Sequence, residues 1–206
     1  MQYEITAPIQ TDRLLLRPFE ESDAEALHAY QSLPEIARYQ YWEPRSLEEI
    51  RAKLAEWTGM RRLNGEGTLA FAVLTREDGK LIGDASLRVT DVAARQGTIG
   101  FSLSPGSQGR GYATETARAL LERGFGDLHL HRIFACCDTR NTASWKVMER
   151  LGMRREAHFR EHALFKGGWD EEYYYAILED EWRQQQGETP ETGRKSAANR
   201  DVAQRT

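Results

Sequence analysis

Apolar residues along this chain recur with two periods, and the points where one gives way to the other predict its elements. LLLRPF (14–19) reads as a first strand, stopped by Pro18. Ser22 or Asp23 can cap a helix running to about residue 32, with Ala24, Leu27 and Ala26 turned inward. The aromatic stretch RYQYWEPRS (38–46) predicts a loop. Ser46 then caps a helix reaching about residue 62. Glu49 completes a capping box, and Leu47, Ile50, Leu54 and Trp57 keep helical spacing.

TLAFAVL (68–74) and KLIGDASLRV (80–89) flank EDG (77–79), a hairpin pattern. GTIGFSLS (97–104) alternates, with Ile99, Phe101 and Leu103 on one face. A helix follows from Tyr112 to Phe125, striped by Ala113, Ala117, Leu120 and Leu121 and stopped at Gly126. Next come a strand, HRIFACC (131–137), and a shorter helix (141–151) ended by Gly152. Segments near 153–164 and 169–178 read as two strands joined by KGG (166–168). This order predicts an α/β (α+β) fold. Its central sheet is mixed and mostly antiparallel, of about seven strands, with helices on both faces and one strand–helix–strand crossover.

Composition bounds the reading. The 206 residues suffice for one core, expected over residues 1–182; beyond Trp182 no aromatic residue occurs, and 183–206 is a polar stretch expected to be disordered. A formal charge of −4 argues against a general nucleic-acid binder. No apolar run approaches the ~20 residues of a membrane span, and MQYEITAPIQ has neither a basic nor an apolar leader region, so a cytoplasmic location is expected. Cys136 and Cys137 are adjacent, without zinc or redox spacing, and are expected to be buried structural thiols.

The chemistry concentrates in SPGSQGRGYATETARALL (104–121), where glycines and a proline run straight into a helix. Such a turn points unpaired N–H groups outward and suggests an anion site, against the plainer reading of a tight turn that caps a helix. A Walker loop fails, because Tyr112 rather than lysine follows Gly111. A dinucleotide fingerprint is met at two of three positions, by Gly109 and Gly111 but not Thr114, with Asp138 closing the next strand. The third pattern is Q-x-x-G-x-A, formed by Gln108, Gly111 and Ala113.

That third pattern resembles the coenzyme A loop of the GNAT superfamily of N-acetyltransferases. Together with IGFSLSPGSQGRGYATETARALL, CDTRNTASWKVMERLGM, TDRLLLRPFEESDAEAL, YWEPRS and FREHALFKGGWDEEYYYAIL, the chain resembles the RimJ/RimL-type branch over residues 10–180. The resemblance implies acetyl-CoA as co-substrate and a splayed pair of strands with pantetheine in the gap, held by backbone at Leu103 and Ser104. It implies a pyrophosphate over Gln108, Gly109, Arg110, Gly111, Tyr112, Ala113 and Thr114. Asn141 matches a residue that meets pantetheine; as a residue it is equally a helix N-cap.

Ser144, Val147, Met148 and Leu151 share one helical stripe. Ser144 either donates a proton to the departing sulfur or bonds back to a carbonyl one turn earlier. Many members of the superfamily have a tyrosine acid where this chain has Met148. Glu161 and His162 are the candidate bases; if they lie on a strand, only one can face the site. His158 and His162 alone are too few for a metal, and none is expected; His129 and His131 read as surface or turn residues. Tyr41 and Trp42 either line the acceptor pocket or anchor the loop.

The implied reaction moves acetyl from sulfur to a primary amine, of a protein N-terminus or a small molecule. An α-amino group at ~7.7–8.0 asks less of a base than a lysine at ~10.4. The expected partners are acetyl-CoA and that amine, with no nucleic acid and no membrane, in a monomer or homodimer. A non-catalytic acyl-CoA sensor and a dinucleotide-dependent oxidoreductase are the competing classes.

Overall fold

The computed structural model describes residues 2–5 and 7–187. Strands β1 (Gln2–Glu4), β2 (Ile9–Gln10) and β3 (Leu14–Arg17) lead into helices α1 (Ala24–Gln31), α2 (Pro34–Ala37) and α3 (Leu47–Trp57). Then come β4 (Arg62–Asn64), β5 (Gly67–Thr75), β6 (Leu81–Asp91) and β7 (Gln96–Leu103). Helix α4 (Tyr112–Gly126) crosses over to β8 (Arg132–Asp138), and α5 (Thr142–Arg150) precedes β9 (Arg154–Phe159). The chain closes with β10 (Leu164–Phe165), β11 (Gly168–Trp169), β12 (Glu172–Leu178) and α6 (Glu179–Gln185).

The main sheet has eight strands in the order β2-β3-β5-β6-β7-β8-β12-β9. The expected count of seven misses β2, a short edge strand whose Ile9 pairs with Leu16. Every neighbouring pair is antiparallel except β7 and β8, the strands joined through α4.

Alternation along the strands divides the core into two layers. Leu69, Phe71, Val73, Ile99 and Leu103 pack with Ala117, Leu120 and Leu121 of α4. Ala70, Ala72 and Leu74 face the other way, onto Leu27 and Tyr30 of α1 and Ile50 and Leu54 of α3. Ser46 caps α3 as expected, its hydroxyl accepting from the Glu49 N–H while the Glu49 carboxylate takes the Ser46 N–H. Asp23 precedes α1 without capping it, because its carboxylate is spent on Arg17 at 2.7 and 2.8 Å.

Three boundaries differ from expectation, each because another pairing competes. Helix α3 stops at Trp57, since Arg62–Asn64 pairs with β1. The KGG turn closes a separate hairpin, β10 with β11, rather than joining the last two long strands. The domain runs past 182: α6 carries buried Trp182 onto Phe125, and Arg183 reaches back to Glu179 at 2.7 Å. Residues 188–206 of the expected tail lie outside the described residues. Among the described residues no helix is long and apolar enough to cross a membrane.

One feature of the sheet positions the candidate site. The parallel ladder of β7 and β8 runs only through Gln96↔Arg132, Gly97↔Ile133 and Thr98↔Phe134. Both strands continue, to Leu103 and Asp138, without pairing to each other.

Candidate active site

The glycine loop lies at the end of β7, beside this opening. Gly109 and Gly111 have φ of +73° and +83°, the left-handed region where a side chain is strained. Within the loop the N–H groups of Gly109, Arg110 and Gly111 donate to no backbone group among the described residues. The first turn of α4 adds N–H groups that have no intrahelical partner. These donors form a cradle for an anion, and Ala113 leaves it uncrowded. The Arg110 and Arg13 guanidinium groups lie 5.1 and 4.7 Å from the Tyr112 ring centre, so both cations flank the loop. Tyr112 itself turns its ring into the core.

Two residues expected at the ligand take part in building the loop. The Gln108 N–H is taken by the Pro105 carbonyl at 3.2 Å, and its amide Nε2 donates to the Leu103 carbonyl at 3.0 Å. The Ser104 N–H donates to the Ile82 carbonyl at 2.8 Å, and its hydroxyl meets Ser107. By the alternation of an antiparallel ladder, the Leu103 and Phe101 N–H groups then face away from β6, into the gap. The backbone positions of interest are thus Leu103 and Phe101, not Ser104.

Sequence reasoning missed the clamp that fixes the loop. Thr11, the Arg13 N–H and the Arg13 guanidinium all donate to the Glu115 carboxylate on α4, and Arg13 Nη1 donates to the Arg110 carbonyl at 3.0 Å. Burial opposes ionisation of Glu115, but these hydrogen bonds outweigh it and hold its carboxyl below the usual range. Only a contact between residues far apart in the chain reveals this.

Helix α5 begins across the gap. Asn141 is its N-cap, the side-chain oxygen accepting from the Ser144 N–H at 3.2 Å. Val147, Met148 and Leu151 are buried as the stripe predicts, and Ser144, at its loop end, is half-buried against the Cys137 thiol. Burial pushes that thiol up to about 12, so at neutral pH it carries its proton. Cys137 matches the expectation of a buried thiol; Cys136, on the opposite face, is exposed.

On the side of the sheet covered by α1 and α3, four residues converge. The Tyr41 hydroxyl lies 2.8 Å from both Asp170 Oδ2 and Glu172 Oε1. His162 Nε2 lies 3.4 Å from Glu172 Oε2. Asp170 and Glu172 are buried, and Glu172 is the register partner of Asp138 at the open end of β8. Burial, and after it the two carboxylates, raise the Tyr41 phenol well above its usual value.

Glu161 does not join them. β9 ends at Phe159, and Glu161 sits exposed in the following turn with φ +50° and no hydrogen bond or ion pair among the described residues. The expected strand is absent there, so strand alternation does not choose between Glu161 and His162; of the two, His162 is the one that meets Glu172. His158 is held separately by Glu171 at 2.8 Å. The two aromatic loop residues divide the roles expected of them: Trp42 stacks on Arg45 and packs on the core, while Tyr41 faces the site. Lys166 straps their loop down by donating to the Ala37 and Trp42 carbonyls, each at 2.9 Å. Asp170 and Glu172 were not singled out, although the acidic run in GGWDEEYYY at a strand start was the available signal.

Comparison with known proteins bears on this geometry. A family model described as an acetyltransferase (GNAT) domain matches residues 13–154. The uncharacterized N-acetyltransferase YnaD of Bacillus subtilis is 36% identical over 174 residues, covering 84% of this chain and 98% of that protein. The crystal structure of a GNAT-family acetyltransferase from Bacillus anthracis, 35% identical, superposes with a TM-score of 0.77 over 85% of this chain and 100% of that one. Spermidine N(1)-acetyltransferase of Escherichia coli K12 is 26% identical over 153 residues, 74% of this chain and 78% of that protein.

Proposed function

The chain belongs to the GNAT acetyltransferase family and is an acetyl-CoA-dependent acetyltransferase; from that premise we propose that it acetylates a primary amine, as a member of the RimJ/RimL-type branch. The branch reading is supported by the order of the motifs from TDRLLLRPF to WDEEYYYAIL. The observation that carries the acceptor reading is the open end of the β7–β8 ladder, with an anion cradle on one side and the Tyr41–Asp170–Glu172–His162 cluster on the other.

Acetyl-CoA supplies the thioester that is the acyl donor. We assign its pyrophosphate to the backbone of Gly109 through Thr114, with Arg110 adding a charge-assisted contact. Gln108 and Ser104 shape that loop, Leu103 and Phe101 offer N–H groups along the gap, and Asn141 orders the facing helix start. A backbone donor aimed at a developing oxyanion is worth about 3–4 kcal/mol. Ser144 is the hydroxyl donor on the sulfur side, because Met148 is buried and carries no proton to give. His162, rather than Glu161, receives the proton from the amine.

An acceptor screen with acetyl-CoA tests this, reading thiol release with N-terminal peptides, alkyl monoamines and diamines. Release with at least one amine class is the expected result. Tight acetyl-CoA binding with no turnover on any of them overturns it in favour of an acyl-CoA sensor.

A further inference from the structure

We propose that Asp170 and Glu172 hold one ammonium group of the acceptor, and that the acceptor is a diamine or polyamine acetylated at a different nitrogen. This rests on the amine-acetylation reading above and names the substrate class.

The cluster is short of hydrogen-bond donors and of positive charge. Asp170 and Glu172 are 3% and 5% exposed. One Tyr41 hydroxyl hydrogen serves two carboxylate oxygens, each 2.8 Å away. The remaining Asp170 oxygen, Oδ1, is buried and has no partner. The nearby cations are placed on other groups: Lys166 on the Ala37 and Trp42 carbonyls, Arg140 on Asp138, and Arg38 over the Tyr39 ring with Asp138 as its charged neighbour. Buried carboxylates left without a counter-charge are costly, and the cost is relieved by a cation that brings its own donors.

An alkylammonium supplies one charge and three N–H donors. A carboxylate oxygen of Asp170 and one of Glu172 lie within 4.8 Å of each other, spacing that lets one ammonium bridge the two carboxylates and leaves His162, beside them, to take the proton of the reacting nitrogen. The Tyr41 hydroxyl already occupies one oxygen of each carboxylate, which favours an N–H donor over a metal ion that competes for those lone pairs. Beside the cluster, Tyr41 packs edge-on against Phe165 at 5.0 Å, giving an aliphatic chain an apolar wall.

The same carboxylates decide which nitrogen reacts. Opposite charges nearby stabilise the protonated form, so an ammonium held between them is the poorer nucleophile. The attacking nitrogen is therefore another amino group of the same molecule, extending toward the gap beyond Asp138. A monoamine can occupy one place or the other, not both.

Calorimetric titration of the full chain without acetyl-CoA tests this with 1,4-diaminobutane and butylamine as probes. The diamine is expected to bind at least about tenfold more tightly, and Asp170→Asn to abolish that preference while acetyl-CoA affinity stays unchanged. If Asp170→Asn loses acetyl-CoA binding, and so its fold, Glu172→Gln replaces it. Equal binding of the two amines, or a preference intact in the folded variant, overturns the proposal. So does tight binding of manganese or zinc chloride that is lost in the variant and indifferent to diamine. Diamine binding without acetylation of any amine refutes the acceptor reading and leaves this subsite standing; acetylation without diamine preference refutes only the subsite.

Discussion

Arg13 and Glu115 join the entrance of β3 to the first turn of α4, with Arg13 Nε donating to Glu115 Oε2 at 2.7 Å and the Arg13 N–H donating to Oε1 at 2.9 Å. The same guanidinium holds the Arg110 carbonyl. The loop we assign to the diphosphate is thereby fixed before anything binds, so its ordering cost is met by the fold.

Removing the clamp should weaken binding rather than chemistry. Arg13 is about half exposed, so its charge-assisted bonds are worth less than buried ones. Arg13→Ala is expected to raise KM for acetyl-CoA roughly three- to tenfold with kcat nearly unchanged. Steady-state kinetics check this; a selective fall in kcat contradicts it.

The clamp also has a pH signature. The Glu115 carboxyl is held below its unfolded value of about 4.3, so its contribution to stability is complete above that value. That contribution fades as pH falls through the lower folded value. Urea unfolding between about pH 3 and pH 6 should show a steeper acid loss for the wild type than for Glu115→Gln. Parallel curves would show that the clamp holds no depressed carboxylate.

Gly83 keeps β6 and β7 close where β7 leaves β8. A Cβ there would lie 2.2 Å from the Ser102 carbonyl oxygen, a backbone atom that cannot move aside. Gly83→Ala should cost about 1–3 kcal/mol of stability. Gly106→Ala, where a Cβ meets nothing within 4 Å, should stay within about 0.5 kcal/mol. Chemical denaturation midpoints distinguish the two.

What was legible in the sequence is what depends on local period and local turn chemistry. The α4 stripe, the Ser46 cap, the hairpin after Thr75 and the glycine loop all follow from neighbours in the chain. The site's other half depends on distant pairings. Glu161 and His162 are neighbours in the chain, and which of them meets Glu172 depends on β9 ending at Phe159 and the β10–β11 hairpin following it. Gln108 matches the family motif, yet its role is to bond Leu103, which no motif states. Tyr41 and Asp170 are 129 positions apart, and only β12 laid beside β8 brings them together.

The proton donor proposed on the sulfur side gives the last prediction. Ser144 stands half-buried beside Cys137, whose thiol stays protonated at neutral pH because burial pushes it up to about 12. Cys137 is therefore no nucleophile and does not titrate near neutrality, and Cys137→Ala should leave the pH–rate profile in place. A thiolate with a parent pKa near 8.5 is already a fair leaving group, so a donor hydroxyl contributes at the low end of the general-acid range. Ser144→Ala is expected to lower kcat about ten- to hundredfold, with KM for acetyl-CoA steady. Ser144→Thr, which keeps the hydroxyl, should restore most of the rate. If Ser144→Ala turns over as fast as wild type, the hydroxyl only packs against Cys137, and the thiolate leaves without a proton from the protein.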